Sequence, residues 1–206
     1  MRDLTIKQFL GQLADRVPAP GGGASAALHA AQAASLLGMV ARYSDGPKYS
    51  DHQDAIAMVR DRADQLRHTT LDLAEDDATA FVAVSDAYGL PKDSDGEKSA
   101  RSMAIAAALL GAAEPPAKVI VAAADLIGLA ELLVLIGNPN VITDVGAAAD
   151  AARAAATTAR LNVEINLGSI KDARERQPYL DIVATVDGLA RRADQLSASV
   201  RTIISR

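Results

Sequence analysis

The sequence predicts an all-α protein, a bundle of long antiparallel helices that associates as a dimer, on three observations. Apolar residues recur at alternating three- and four-residue steps, as in Ile56, Val59, Ala63, Leu66, Thr70, Leu73, Asp77, Ala80 and Val84, the spacing of one helix face. Half of the residues are hydrophobic but only 3% are aromatic, with no Trp; alanine fills core positions instead, which favours helix and lets helices approach closely. Clusters of Pro and Gly separate the periodic runs, and no run alternates in the manner of a strand ladder. A length of 206 residues suits one domain spanning the chain.

Thr5 followed by Gln8 forms a capping-box pattern that opens a short helix to about Ala14, before Pro18-Ala19-Pro20-Gly21-Gly22-Gly23 breaks it. A second helix, Ala24 to about Tyr43, consists almost wholly of small residues and ends at Ser44-Asp45-Gly46-Pro47. The third runs from about Asp51 to Tyr88, with Gly89 as its C-cap and Pro91 just beyond. At about 1.5 Å per residue it is roughly 55 Å long, more than a compact monomer of this size needs. A loop, Lys92 to Gly96, leads to a helix from about Glu97 to Ala113, and Pro115-Pro116 start another to about Ile136. After Gly137-Asn138-Pro139-Asn140 a helix begins near Thr143 or Asp144 and continues to about Leu167. Leu180, Val183, Val186, Leu189 and Leu196 mark a single terminal amphipathic helix. The apolar surface left on so long a third helix, with small residues on its neighbours, points to a symmetric homodimer.

The charge balance narrows the function. A net charge of -5 with no basic stripe and no interleaved aromatics excludes a nucleic-acid surface. Without cysteine there is no disulfide, thiolate metal site or cysteine nucleophile. His29, His52 and His68 show no metal-ligand spacing, so no metal is expected. Ser25 has no evident His and Asp partners for a hydrolase triad. The opening residues MRDLTIKQFL carry no signal-peptide core, and the apolar runs read as too short or too interrupted to span a bilayer. A cytoplasmic protein without a membrane partner is the expectation.

Asp77 breaks the apolar stripe of the third helix. Burying a carboxylate costs several kcal/mol unless it is paired or protonated, so it either closes a structural polar network or lines a site between helices. Gly21-Gly22-Gly23 feeds a helix N-terminus, where backbone N–H groups can meet an anion or simply turn the chain. Asp144 and Asn162 share one stripe through Ala148, Ala151, Ala155 and Thr158, and Asp144 also suits the positive end of its helix. Asn138 and Asn140 flank Pro139 as turn residues do. Asn162 and Asn166, one helical turn apart, can bind a ligand together or cap the helix end. Lys92 offers a cation to a carboxylate ligand, or is a solvated loop lysine.

Taken together, PAPGGGASAA at 18–27, EDDATAF at 75–81, AYGLPKDSDGEKSAR at 87–101, GNPNVITDVGAAA at 137–149 and LNVEINL at 161–167 resemble the cyclodeaminase/cyclohydrolase family of folate one-carbon metabolism. The segments occur in the family's order, and the AYGLPK segment with DGEKSAR looks most like the stand-alone bacterial methenyltetrahydrofolate cyclohydrolases. Ala19 and Ala24 stand where threonine and serine are common in the family, and ARYSDGPKY at 41–49 only partly matches it.

The resemblance implies an all-helical homodimer with a cleft near the subunit interface. It also implies a tetrahydrofolate derivative as substrate, with no separate cofactor. Under it Asp77 and Asp144 are the catalytic candidates. Gly21, Gly22, Gly23, Lys92, Asn138, Asn162 and Asn166 are the substrate-binding candidates. The implied reaction is hydrolysis of 5,10-methenyltetrahydrofolate to 10-formyltetrahydrofolate. The sister reaction, closure of 5-formiminotetrahydrofolate with release of ammonia, uses the same tetrahedral carbon. A folate-binding helical scaffold without turnover is the alternative from another class.

Overall fold

The computed structural model describes residues 2–168, 170 and 172–206. Within them the chain forms seven α-helices: α1 (Ile6–Ala14), α2 (Gly22–Arg42), α3 (Gln53–Gly89), α4 (Asp95–Ile136), α5 (Ile142–Leu167), α6 (Ala173–Ala184) and α7 (Val186–Ile204). Short 3-10 turns, Pro47–His52 and Pro139–Val141, lead into α3 and α5. The described residues contain no strand.

The core follows from side-chain size. On α2, Ala24, Ala27, Ala30, Ala34, Leu37 and Val40 are buried, on more than one face, because small side chains let α3, α4 and α5 all pack against it. The α3 stripe is buried from Ile56 through Leu73. Beyond Leu73 it opens, leaving Asp77, Ala80 and Val84 only half-covered. The far end of α3 and the first turns of α4 project past the start of α2, with Phe81, Tyr88 and Met103 exposed.

Thr5 caps α1 as expected, accepting from the Gln8 N–H at 3.2 Å while the Gln8 side chain accepts from the Thr5 N–H at 2.9 Å. None of α1 is buried; Arg2 ties it to Asp72 and Glu75 of α3. A second capping box, Ser94 with Glu97, starts α4 two residues before the expected Glu97. At the end of α3, Gly89 is the last helical residue, and the positive-φ glycine is Gly46 at 94° instead.

The sequence reading fails at Pro115 and Pro116. These prolines do not start a new helix: α4 is continuous from Asp95 to Ile136, with both of them buried inside it. A proline removes the N–H that would bond the carbonyl four residues earlier. Pro115 thereby frees the Gly111 carbonyl at an exposed position. Pro116 frees that of buried Ala112, and there the Asn166 side chain donates in its place at 2.9 Å.

Continuity also corrects the membrane reading. Stretches of both α2 and α4 are long and apolar enough to cross a membrane by length and composition. In the bundle 61% of the α2 stretch and 50% of the α4 stretch is buried against protein, as in core helices.

The terminal helix is two helices rather than one, breaking at Thr185, whose hydroxyl donates to the Ile182 carbonyl at 2.7 Å. The break re-aims the chain so that Val186, Leu189, Ala193, Leu196 and Val200 of α7 bury against the bundle, while α6 buries none. A two-pronged ion pair secures α7 to α4, with Arg192 Nε and Nη2 each 2.7 Å from the Glu131 carboxylate.

Candidate active site at the start of the central helix

The first turn of α2 is where the predicted residues converge. Gly21 is its N-cap in an extended conformation, and Gly22 and Gly23 are already helical. Asp77 of α3 is pressed against that turn. A Cβ placed on Gly23 would lie 1.9 Å from Asp77 Oδ1 and 2.7 Å from Oδ2, so only glycine admits the carboxylate here. The Ala24 N–H faces it and favours its charge, but partial burial outweighs this and pushes the Asp77 carboxyl above the usual range.

A glycine run at a helix start either meets an anion with its backbone N–H groups or simply turns the chain. The anion is the protein's own: Asp77 occupies the positive end of α2. A Cβ on Gly22 would lie 3.4 Å from the Asn162 side chain, so α5 meets the same turn from another side. Asn162 Nδ2 donates to the Thr158 carbonyl at 2.9 Å. One turn on, Asn166 Nδ2 donates both to the Asn162 carbonyl and to Ala112 of α4, each at 2.9 Å. Groups from four helices therefore meet around this turn, and the Asp77, Asn162 and Asn166 side chains among them are half-buried.

The other candidates lie elsewhere in the protomer. Asp144 sits half-buried in the first turn of α5, roughly 27 Å along that helix from Asn162 at 1.5 Å per residue. Among the described residues it forms no hydrogen bond or ion pair. Asn138 stands at the opposite end of α2 from the glycines. There its N–H donates to Ser44 Oγ at 2.8 Å, its Nδ2 donates to the Tyr43 carbonyl at 2.7 Å, and its Oδ1 accepts from the Asn140 N–H at 3.0 Å. Its polar groups thus bind the chain to itself, joining the α4–α5 turn to the end of α2. Lys92 is exposed and lines a separate groove of about 600 Å³ with Lys98, Arg101, Asp172 and Glu175, a groove that Asp77 does not border.

Two features escaped the sequence reading. Pro116 belongs to the site's architecture because its missing donor recruits Asn166, and a proline within a helical run carries that signal. Lys118, bonded to Glu114 at 2.7 Å, feels the charge of Asp76 beside Asp77, and its pKa is raised chiefly by Glu114. Neighbouring Tyr179 has its pKa raised chiefly by burial.

Residues 5–184 match the Formiminotransferase-cyclodeaminase family. The chain belongs to that family. It is 39% identical over 181 residues to the methenyltetrahydrofolate cyclohydrolase of Methylorubrum extorquens, covering 86% of this chain and 87% of that protein. It is 31% identical over 175 residues to the mouse formimidoyltransferase-cyclodeaminase, covering 82% of this chain but only 32% of that longer protein. The fold matches the crystal structure of formiminotetrahydrofolate cyclodeaminase from Thermotoga maritima with a TM-score of 0.82 at 30% identity, over 99% of this chain and 97% of the other. Family membership agrees with the all-helical bundle.

Proposed function

We propose that this member of the family is a methenyltetrahydrofolate cyclohydrolase, and that Asp77 is its proton-transfer group. The observation that carries the assignment is the Asp77 carboxylate, clamped on Gly23 and held above its usual pKa by burial. The near-full-length similarity to the Methylorubrum extorquens cyclohydrolase supports the choice of reaction.

The substrate's bridging carbon joins N5 and N10 as a cationic amidinium. Water adds through oxygen to that carbon, and Asp77 accepts a proton from it. The C–N5 bond of the tetrahedral adduct then breaks, N5 takes up a proton and the carbon stays on N10 as a formyl group. Overall one water is consumed and one proton released. A half-buried carboxylate with its pKa raised by burial both stabilises the cation and moves the proton efficiently. The folate is the substrate and no further cofactor is invoked. The protein acts in the cytoplasm as a homodimer in this reading.

The Thermotoga maritima neighbour favours a second reading, the cyclodeaminase reaction on the same carbon. One assay separates the two. For the cyclohydrolase, absorbance of 5,10-methenyltetrahydrofolate decays faster than the uncatalysed background. For the cyclodeaminase, the same chromophore grows from 5-formiminotetrahydrofolate with release of ammonia. A protein that binds folate and accelerates neither is a scaffold.

A further inference from the structure

The outward side of α2 has no cover in its own protomer. From Gly22 to Ala41 this helix carries no Asp, Glu, Lys or Arg, in a chain of which 23% is charged. Its inward side is buried in the bundle. On the outward side Gln32 and Ser35 are exposed, while Ser25, Leu28, His29, Leu36 and Met39 are half-buried. The water-facing side of a helix ordinarily carries charge, and its absence marks a contact surface.

This side forms one wall of a groove of about 810 Å³, and α1 forms the other with Phe9, Leu10 and Leu13. None of α1 is buried, and Ile6 and Leu10 stay 80% and 54% exposed. Nine residues are too few for a helix that gains nothing from packing. The groove therefore lacks a piece. Two arginines at its edge are already matched by α3, Arg2 with Asp72 and Glu75, and Arg67 with Asp64.

The order of residues along α2 identifies the missing piece. His29 and Ser35 lie three positions either side of Gln32, Leu28 and Leu36 four, and Ser25 and Met39 seven. A two-fold axis through Gln32, perpendicular to α2, lays a second α2 antiparallel on the first. Leu28 then meets the partner's Leu36, and small Ser25 meets the partner's Met39. At the axis the two Gln32 amides, each with donors and an acceptor, satisfy one another. Such self-complementary contact is how identical chains close a dimer. A net charge of -5 makes two copies repel in general, but a neutral face adds nothing to that repulsion.

We propose that a second copy of this chain docks in the groove between α1 and α2, antiparallel about Gln32. This rests on the homodimer reading above and assigns that dimer its surface and register. The partner covers Ile6 and Leu10 of α1. The antiparallel register also sets the Asp77 end of α2 beside the partner's Tyr43, a residue 60% exposed in the lone protomer.

Gln32 is exposed, so changing it leaves the protomer intact. Analytical ultracentrifugation of the wild type should show a dimer. Gln32→Glu and Gln32→Lys, each alone, set like charges face to face and should raise the dimer dissociation constant at least about tenfold. An equimolar mixture of the two should recover dimerisation, because Glu then faces Lys. Ile6→Ser should weaken the dimer with the protomer fold unchanged. In a chain without other cysteines, Gln32→Cys should oxidise to a covalent dimer, since the axis brings the two Cα atoms within disulfide reach, about 7 Å. Val82→Cys, on the projecting end of α3, should not.

A monomeric wild type would overturn the homodimer reading and this surface with it. A dimer that tolerates both charges, or Ile6→Ser, would overturn the surface alone. So would variants that each dissociate but fail to dimerise when mixed, or a disulfide that forms at position 82 and not at 32. Mass and crosslinking are the readouts, so the reaction catalysed does not enter the result.

Discussion

The two ends of α2 close against their neighbours by opposite chemistry. At the N-terminal end a carboxylate from α3 meets the Ala24 backbone N–H beside a glycine, leaving its charge half-exposed. At the C-terminal end Ser44 Oγ donates to the Val40 carbonyl at 2.8 Å and accepts from the Asn138 N–H at 2.8 Å. Asn138 also covers the Tyr43 carbonyl. There the Ser44 hydroxyl and the Asn138 side chain find their partners within the protein. Satisfied groups stabilise a fold, whereas an acceptor left open is available to a ligand. The two candidate aspartates divide along the same line, Asp77 with the open end and Asp144 with the closed one.

The sharpest way to break this contrast is to neutralise each aspartate. Asp77→Asn should retain the fold and lose at least about 100-fold in kcat, the scale of one acid–base group. Asp144→Asn should stay within about tenfold of the wild type. If steady-state kinetics show equal losses, the two ends must act together, which roughly 27 Å along α5 permits only through a second copy of the chain.

The glycines give a graded test of the open end. Gly23→Ala would force a Cβ to 1.9 Å from Asp77 Oδ1, so it should lose both activity and thermal stability. Gly22→Ala brings a Cβ to 3.4 Å from Asn162 Nδ2 and should shift kinetics mildly. Gly21→Ala meets nothing within 4 Å and should be silent. Activity that falls equally for all three would remove the special role of Gly23.

At the closed end, Ser44→Ala leaves the Asn138 N–H without its acceptor. It should cost about 1–3 kcal/mol in denaturant unfolding with kcat unchanged. Loss of rate at constant stability would move this end into the site.

Two carboxylates predict opposite responses to pH. The Asp77 pKa is raised from 3.8 by burial, so its favourable contribution to folding is complete below about 3.8 and lost as pH rises through the higher folded value. Asp77→Asn should therefore be more stable than the wild type at pH 7, with the gap closing in acid. The Glu75 pKa is lowered from 4.5 to about 2, first by the Arg2 backbone N–H and then by its side chain. Its tether is intact above 4.5 and released as pH falls toward 2. Hydrogen exchange in α1 should rise over that range, the smallest of these effects because the pair is exposed.

Much of the bundle is legible in the residues. The Ile56–Leu73 stripe, the Thr5 box and the small-residue face of α2 each follow from local periodicity and capping. The Ser94-x-x-Glu97 box carries the same local capping signal. The prolines at 115 and 116 misled because a proline is judged by the helix it interrupts. Here the bond missing at the Ala112 carbonyl is supplied by Asn166, fifty-four positions further along the chain. The split at Thr185 was hidden for the same reason, since α6 and α7 share one apolar rhythm but only α7 buries residues against the bundle.

What the amino-acid order determined alone was the helical class, most boundaries and the identity of the misfit aspartate, because these depend on neighbours three or four positions apart. What only tertiary packing decided was which polar residues meet. Asp77 reaches Gly23, and Asn166 reaches Ala112, through contacts between different helices. Asn138 and Lys92 are drawn elsewhere. Such meetings depend on how rods of given width cross, and no local spacing records that.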